Sequence, residues 1–137
     1  MTNTSSNSKP IDYYIARIDN ANFGNIIKET LHIVILSKFS QEQLFEIAKI
    51  ETERYISKNK VNSLTVGFYD KSVLDNDEWY IYGFTHGQVD YLPNGDWNNI
   101  SNINTGDYKT FQFVNKIKLF QFTAGMQPKD FFKNHSN

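Results

Sequence analysis

Three histidines and a few aspartates are the side chains of this sequence that could do chemistry. His32, His86 and His135 are too far apart for the paired spacings with which one helix or strand holds a metal ion. His86 lies shortly before Asp90, and a bend of the chain would let that carboxylate orient the imidazole as a general base. No matching nucleophile accompanies this pair. A small hydrolase or metal-dependent enzyme centred on His86, Asp90 and Asp96 is therefore the alternative hypothesis, and a non-catalytic protein is favoured.

The aspartates have a simpler explanation than metal binding. Asp90, Asn94 and Asp96 are spaced like the oxygen ligands of a calcium loop, but the glutamate that such loops require is missing. The Pro-Asn-Gly-Asp sequence at 93–96 instead predicts a tight turn. The glycines are scattered and form no phosphate-binding loop. We predict no metal site and no cofactor, and we expect His32, inside an apolar stretch, to be a neutral core histidine.

Aromatic side chains are concentrated in an acidic part of the chain. Residues 61–107 hold seven carboxylates against Lys71 alone. Aromatic grooves that bind single-stranded nucleic acid need interleaved Lys or Arg, so nucleic-acid binding is disfavoured. Because tyrosine and tryptophan are enriched at interfaces, we predict binding of a protein partner with a basic surface through residues 78–97. The predicted binding residues are Trp79, Tyr80, Tyr82, Phe84, Tyr91, Asp96 and Trp97. The competing interpretation packs these rings beneath the helix and the C-terminal tail.

Length and composition limit the chain to one core and exclude several kinds of site. The chain has 137 residues, of which 39% are hydrophobic, and a net charge of −1. It has no cysteine, which excludes disulfides, thiolate nucleophiles and cysteine-ligated zinc. It also lacks a run of ~20 apolar residues and a secretory signal. We therefore predict a cytoplasmic, soluble protein, with an exported or tethered domain as the alternative and self-association left open.

The hydrophobic pattern predicts strands and one main helix. The polar residues 1–10 predict a disordered leader, and residues 11–137 a single domain. Ser40 and Gln43 form a capping box, from which a helix runs to about 58 with its apolar side chains at three- and four-residue spacing. Strands are predicted at 11–18, 30–36, 63–69, 79–84 and 108–114.

Short connections and the order β-β-α-β-β-β predict an α+β fold, in which a mainly antiparallel sheet of five or six strands carries one helix on one face. In the first strand, alternation places Ile15 and Arg17 on the same face. In the fourth, it lines one whole face with aromatic rings. The tail from 115 to 137 has two interpretations, since 117–122 alternates as a strand does and Pro128 could begin a short helix.

The turn at 93–97 and the Thr-Gly-Asp-Tyr sequence at 105–108 resemble a P-x-G-x-W…G-D-Y element of small uncharacterised bacterial domains. In those domains the element follows a strand that ends in Phe-Tyr-Asp, here residues 68–70. The resemblance covers roughly residues 30–110 and implies a bacterial origin and a β-rich domain. It implies no activity, and the lipid-modified cysteine found in some of those proteins is missing here.

Overall fold

The computed structural model describes residues 12–81 and 83–119, which form one sheet and one helix. The strands are β1 (Tyr13–Asn20), β2 (Lys28–Ile35), β3 (Ser63–Asp70), β4 (Gly87–Pro93) and β5 (Phe111–Ile117), and the helix α1 (Gln41–Ile56) lies between β2 and β3. Short 3-10 helices occupy Lys71–Asp75, Trp79–Ile81 and Trp97–Asn99. The predicted α+β class and the order β-β-α-β-β-β are confirmed.

The five strands lie side by side in the order in which they occur in the chain. Three of the four neighbouring pairs are antiparallel, and β2 and β3 are parallel. The parallel pair arises because α1 crosses over the sheet and returns the chain to the same end. The sheet is thus mainly antiparallel, as predicted, but mixed.

The capping box of α1 is present as predicted. The Ser40 hydroxyl accepts a hydrogen bond from the Gln43 amide at 3.1 Å, and the Gln43 side chain accepts one from the Ser40 amide at 2.8 Å. The helix buries Leu44, Ile47 and Ala48 against the sheet. It ends at Ile56, two residues earlier than predicted.

The main core fills the space between α1 and the sheet. Its fully buried side chains alternate along the central strands. β3 is buried almost throughout because its other face is covered as well. They include Leu31 and Ile33 of β2, Leu64, Val66 and Phe68 of β3, and Leu44 and Ala48 of α1. Opposite this core, a smaller cluster forms around Val34, Tyr69 and Val73.

The prediction of a strand at 79–84 is wrong. Trp79–Ile81 is a 3-10 helix, Gly83 has a positive φ of 94°, and the fourth strand is Gly87–Pro93. The rings of this segment pack onto the outer face of the sheet rather than alternating within it, and β4 pairs with β3 through Val89 and Tyr91 instead. The segment between β3 and β4 therefore packs on the outer face of the sheet before the chain enters the sheet again as β4.

The last strand begins at Phe111 rather than at 108. The predicted leader at 1–10 and the alternatives for the tail beyond 119 lie outside the described residues, as does Tyr82. Within the described ranges, no helix is long and apolar enough to cross a membrane.

Candidate functional site

Four rings form an aromatic cluster on the sheet face opposite α1: His32, Tyr69, Trp79 and Phe84. Tyr69 lies at its centre, with ring centroids 4.7 Å from Trp79, 5.4 Å from Phe84 and 5.7 Å from His32. Trp79 and Phe84 meet Tyr69 edge to face, the arrangement that aromatic quadrupoles favour. The segment after β3 supplies Trp79 and Phe84, which are half-buried and cover this part of the sheet.

A polar chain runs through the aromatic cluster to the edge of the sheet. The Tyr69 hydroxyl lies 2.8 Å from His32 Nδ1, and His32 Nε2 lies 2.9 Å from Asp19 Oδ2. Arg17 Nε donates a hydrogen bond to the same carboxylate oxygen at 2.8 Å. These contacts fit a neutral His32 with its proton on Nε2 facing Asp19, and with Nδ1 accepting from Tyr69.

The pKa values of these polar side chains are set by burial and by the contact of Arg17 with Asp19. Burial lowers the pKa of His32, although the nearby Asp19 carboxylate raises it in part. The hydrogen bond from Arg17 holds the pKa of Asp19 below its ordinary value, and the desolvation of Asp19 opposes this shift. Burial also raises the pKa of Tyr69. His32 is therefore the neutral core histidine that the sequence predicts.

The polar chain is closed to substrates. Tyr69 is fully buried and His32 almost so, because Trp79 and Phe84 cover both rings. No reacting molecule could reach Tyr69 without displacing the rings of Trp79 and Phe84. The arrangement acts as an internal support for the segment above it.

The outer part of that segment, residues 75–81, forms an exposed rim. The Arg17 guanidinium lies 3.8 Å from the centroid of the Tyr80 ring and holds it by a cation–π contact. Ile81 follows with 57% of its surface exposed. Three exposed carboxylates precede these residues on the rim: Asp75, Asp77 and Glu78.

The other predicted binding residues lie elsewhere. Tyr91 faces α1 and packs against Phe111 and Phe113, at 4.8 Å and 4.5 Å between centroids. Trp97 is near Lys28, whose ammonium lies 5.4 Å from its ring. Asp96 accepts a hydrogen bond from the Asn98 amide and so caps a 3-10 helix. Of the seven predicted residues, the structure brings together Trp79, Tyr80 and Phe84, and Tyr82 lies outside the described residues.

His86 and Asp90 are engaged separately. The His86 ring contacts the Thr85 hydroxyl through Nδ1 at 2.9 Å, and burial lowers its pKa. Asp90 is fully buried and contacts Thr65 at 2.8 Å and Lys116 at 2.9 Å. No hydrogen bond joins His86 to Asp90 between residues 83 and 119. The expected orientation of the imidazole by Asp90 is thus not observed.

Arg17 and Asp19 belong to this site although neither was among the predicted site residues. A register shift between Ile15 and Arg17 in the β1–β2 pairing places Arg17 opposite His32, whereas Ile15 lies opposite Ile33. Arg17 is therefore on the outer face and Ile15 on the helix face, contrary to the simple alternation. The sequence does contain one signal for this pair. Arg17 and Asp19 are two positions apart, so a strand places both side chains on the same face.

In the described ranges, no group of three or more His, Asp or Glu side chains could hold a metal ion. Comparisons with known proteins found no matching family model, no matching curated protein and no matching solved structure. The resemblance to small bacterial domains therefore stays a prediction.

Proposed function

We propose that this chain is a non-catalytic module that binds another protein through the rim at residues 75–81. The observation that carries the proposal is the position of Ile81, an exposed apolar side chain next to a fixed tyrosine and three exposed carboxylates. An apolar centre with a polar border is the composition of protein interfaces.

The aromatic part of the rim is held in place before any partner arrives. Tyr80 stacks on Arg17, and Trp79 packs against both Tyr69 and Tyr80. Side chains that are already immobilised lose little rotamer freedom on binding, which favours affinity. This preorganisation supports a role in recognition as well as in packing.

The charge of the rim supports a basic partner. Asp75, Asp77 and Glu78 are exposed, whereas the nearby Arg17 already contacts Asp19 and Tyr80. Opposite potentials across an interface raise the association rate and exclude partners of like charge. The same negative charge disfavours nucleic acid, whose binding requires neutralisation of phosphates.

Site-specific photocrosslinking tests the proposal in the native cell. We expect p-benzoylphenylalanine at Ile81 to form an adduct with one protein, and Tyr80→Ala in the same chain to reduce its yield. The matched control places the crosslinker at Phe23, which is similarly exposed, at 54%, but lies in the turn between β1 and β2. Equal adducts at both positions, or none at Ile81, would contradict the proposal.

A further inference from the structure

A groove lies on the other face of the sheet, between α1 and the helix-facing side of β1. Its volume is about 930 Å³. Ile15 of β1 and Ile47 and Ile50 of α1 contribute apolar walls, and Tyr13 also lines the groove. The groove shares no lining residue with the rim at 75–81.

The groove exists because one helix cannot cover five strands. α1 packs mainly against β3, β4 and β5, so residues 12–81 and 83–119 leave much of the helix-facing side of β1 exposed. Ile15 and Ile18 face that side and are 38% and 50% exposed, and Ile50 on the flank of α1 is 47% exposed. Three isoleucines thus border a strip next to α1 on the sheet, where a second helix would pack in a two-layer domain.

The edges of the groove are acidic. Asp12, Glu42, Glu46 and Glu51 line it, together with Arg54. Arg54, although exposed, pairs with the buried Glu51 at 3.3 Å, and Glu46 pairs with Lys49 at 2.8 Å on the surface of α1. Exposed pairs of the second kind are weak, so Glu46 can exchange its partner. Asp12 and Glu42 take part in no ion pair with the cations of residues 12–81 and 83–119. An occupant that carried Lys or Arg would meet complementary charge here.

The shape of the walls favours a helix over an extended strand as the occupant. Glu42, Glu46, Ile50 and Arg54 are spaced four residues apart and form a ridge along the flank of α1, the feature with which a second helix interdigitates. In contrast, the register shift at Ala16 is of the kind that disrupts a sheet edge and protects it from further strands.

We propose that this groove receives an amphipathic helix of a partner protein, with its apolar side on Ile15 and Ile50 in the groove and on Ile18 farther along β1, and with Lys or Arg opposite Glu42 and Glu46. The proposal goes beyond the binding proposed for the rim, because the two surfaces lie on opposite faces of the sheet. An experiment can therefore contradict the proposal for the groove without contradicting the proposal for the rim, and the reverse also holds.

The test uses the full chain and two synthetic peptides of about 18 residues, or about five helical turns, with identical leucine patterns. One peptide carries lysine at its polar positions and the other carries glutamate. We expect the lysine peptide to bind, to shift the methyl NMR signals of Ile15, Ile18 and Ile50, and to become helical on binding. We expect no binding of the glutamate peptide.

Two variants locate the binding site. Glu42→Lys with Glu46→Lys changes exposed side chains of α1, and we expect it to weaken binding of the lysine peptide at least tenfold. Ile81→Asp is the matched control on the rim and should leave this affinity unchanged. An unchanged affinity in the double variant, equal binding of both peptides, or no binding of the lysine peptide would overturn the proposal.

Other occupants would also be recognised. Shifts confined to the rim, or a bound peptide with the chemical shifts of a strand, would overturn the helix assignment. A dimer of the chain alone in analytical ultracentrifugation, dissociated by Ile50→Glu, would assign the groove to a second copy and overturn it as well.

Discussion

The ring of Phe84 occupies the space that a β-carbon at Gly67 would require. Gly67 lies in the middle of β3 on the outer face, and an added methyl group there would overlap the edge of the Phe84 ring. The absence of a side chain at one position of the central strand therefore allows the segment after β3 to lie flat on the sheet. The aromatic cluster depends on that close approach.

Gly67→Ala should destabilise the protein by about 1–3 kcal/mol, because Phe84 must leave its position or the strand must shift. The measurement is urea unfolding of the variant, of Phe84→Ala and of the double variant. We expect the glycine substitution to cost much less once the ring is removed. An equal cost in both backgrounds would show that Phe84 is not the obstacle. Gly24→Ala, in open space at a positive φ of 56°, measures backbone strain alone.

Stability should fall as the pH is lowered through about 6.5, the ordinary value for histidine. Burial lowers the pKa of both His32 and His86 in the folded state, so the unfolded chain binds protons first. The free energy of unfolding should decrease by up to about 1.4 kcal/mol per pH unit for each histidine until its folded pKa is passed. Urea midpoints between pH 8 and pH 5 test this, and His32→Asn should reduce the slope. Constant stability over the range would refute it.

Tyr13→Phe should lower the free energy of unfolding at neutral pH and should remove part of the loss of stability between about pH 10 and pH 12. The Tyr13 hydroxyl donates to buried Glu51 at 2.7 Å, and burial followed by this hydrogen bond raises the pKa of Tyr13 to about 12. The neutral phenol therefore stabilises the fold up to about pH 10, and this contribution is lost as the pH rises toward 12.

Removal of that hydroxyl should cost about 1–2 kcal/mol at neutral pH, since the carboxylate of Glu51 loses a partner. Chemical unfolding at pH 7 and pH 11 measures both effects. Tyr14→Phe is the matched control, because Tyr14 is the adjacent residue on the other face and is exposed. A loss as large in the control would rule out the contact with Glu51 as the cause.

Arg17→Ala should raise the pKa of Asp19, because the hydrogen bond from Arg17 is the largest cause of its depression. It should also release the Tyr80 ring, which the guanidinium holds at 3.8 Å. Carboxyl carbon-13 NMR titration follows Asp19, and the Tyr80 ring signals report the second effect. Arg17→Lys separates the effect of the positive charge from that of the guanidinium geometry, since lysine keeps the charge but lacks the planar group with its several N–H donors. An unchanged Asp19 titration in Arg17→Ala would contradict the assigned pairing.

Local signals predicted the elements whose stability is local. Ser40 and Gln43 predicted the start of α1 because the capping box is a contact within one turn. The turn before Trp97 was predicted from Asn94 and Gly95, and both have the positive φ that such turns need. The strand predicted at 63–69 is likewise present, as β3, and both of its faces are covered.

Long-range contacts decide what the sequence could not predict. Trp79 and Phe84 alternate as strand residues do, but their positions depend on Tyr69 and His32, which lie far away in the chain. The register shift beside Arg17 has no local signature either, and without it Arg17 and Asp19 would both lie on the helix face with Ile15, away from His32. Trp79, Tyr80 and Phe84 come together through these long-range contacts, whereas Tyr91 and Trp97 lie elsewhere.

The parallel pairing of β2 with β3 divides the sheet into two antiparallel units, the hairpin β1–β2 and the meander β3–β4–β5. Asp19 and His32 belong to the first unit and Tyr69 to the second. The contact between His32 and Tyr69 therefore joins the two units, and Asp19 supports His32 from within the first. Folding cooperativity should therefore depend on the contacts between these two units, because a parallel pair needs the crossover through α1 and cannot be closed by a tight turn.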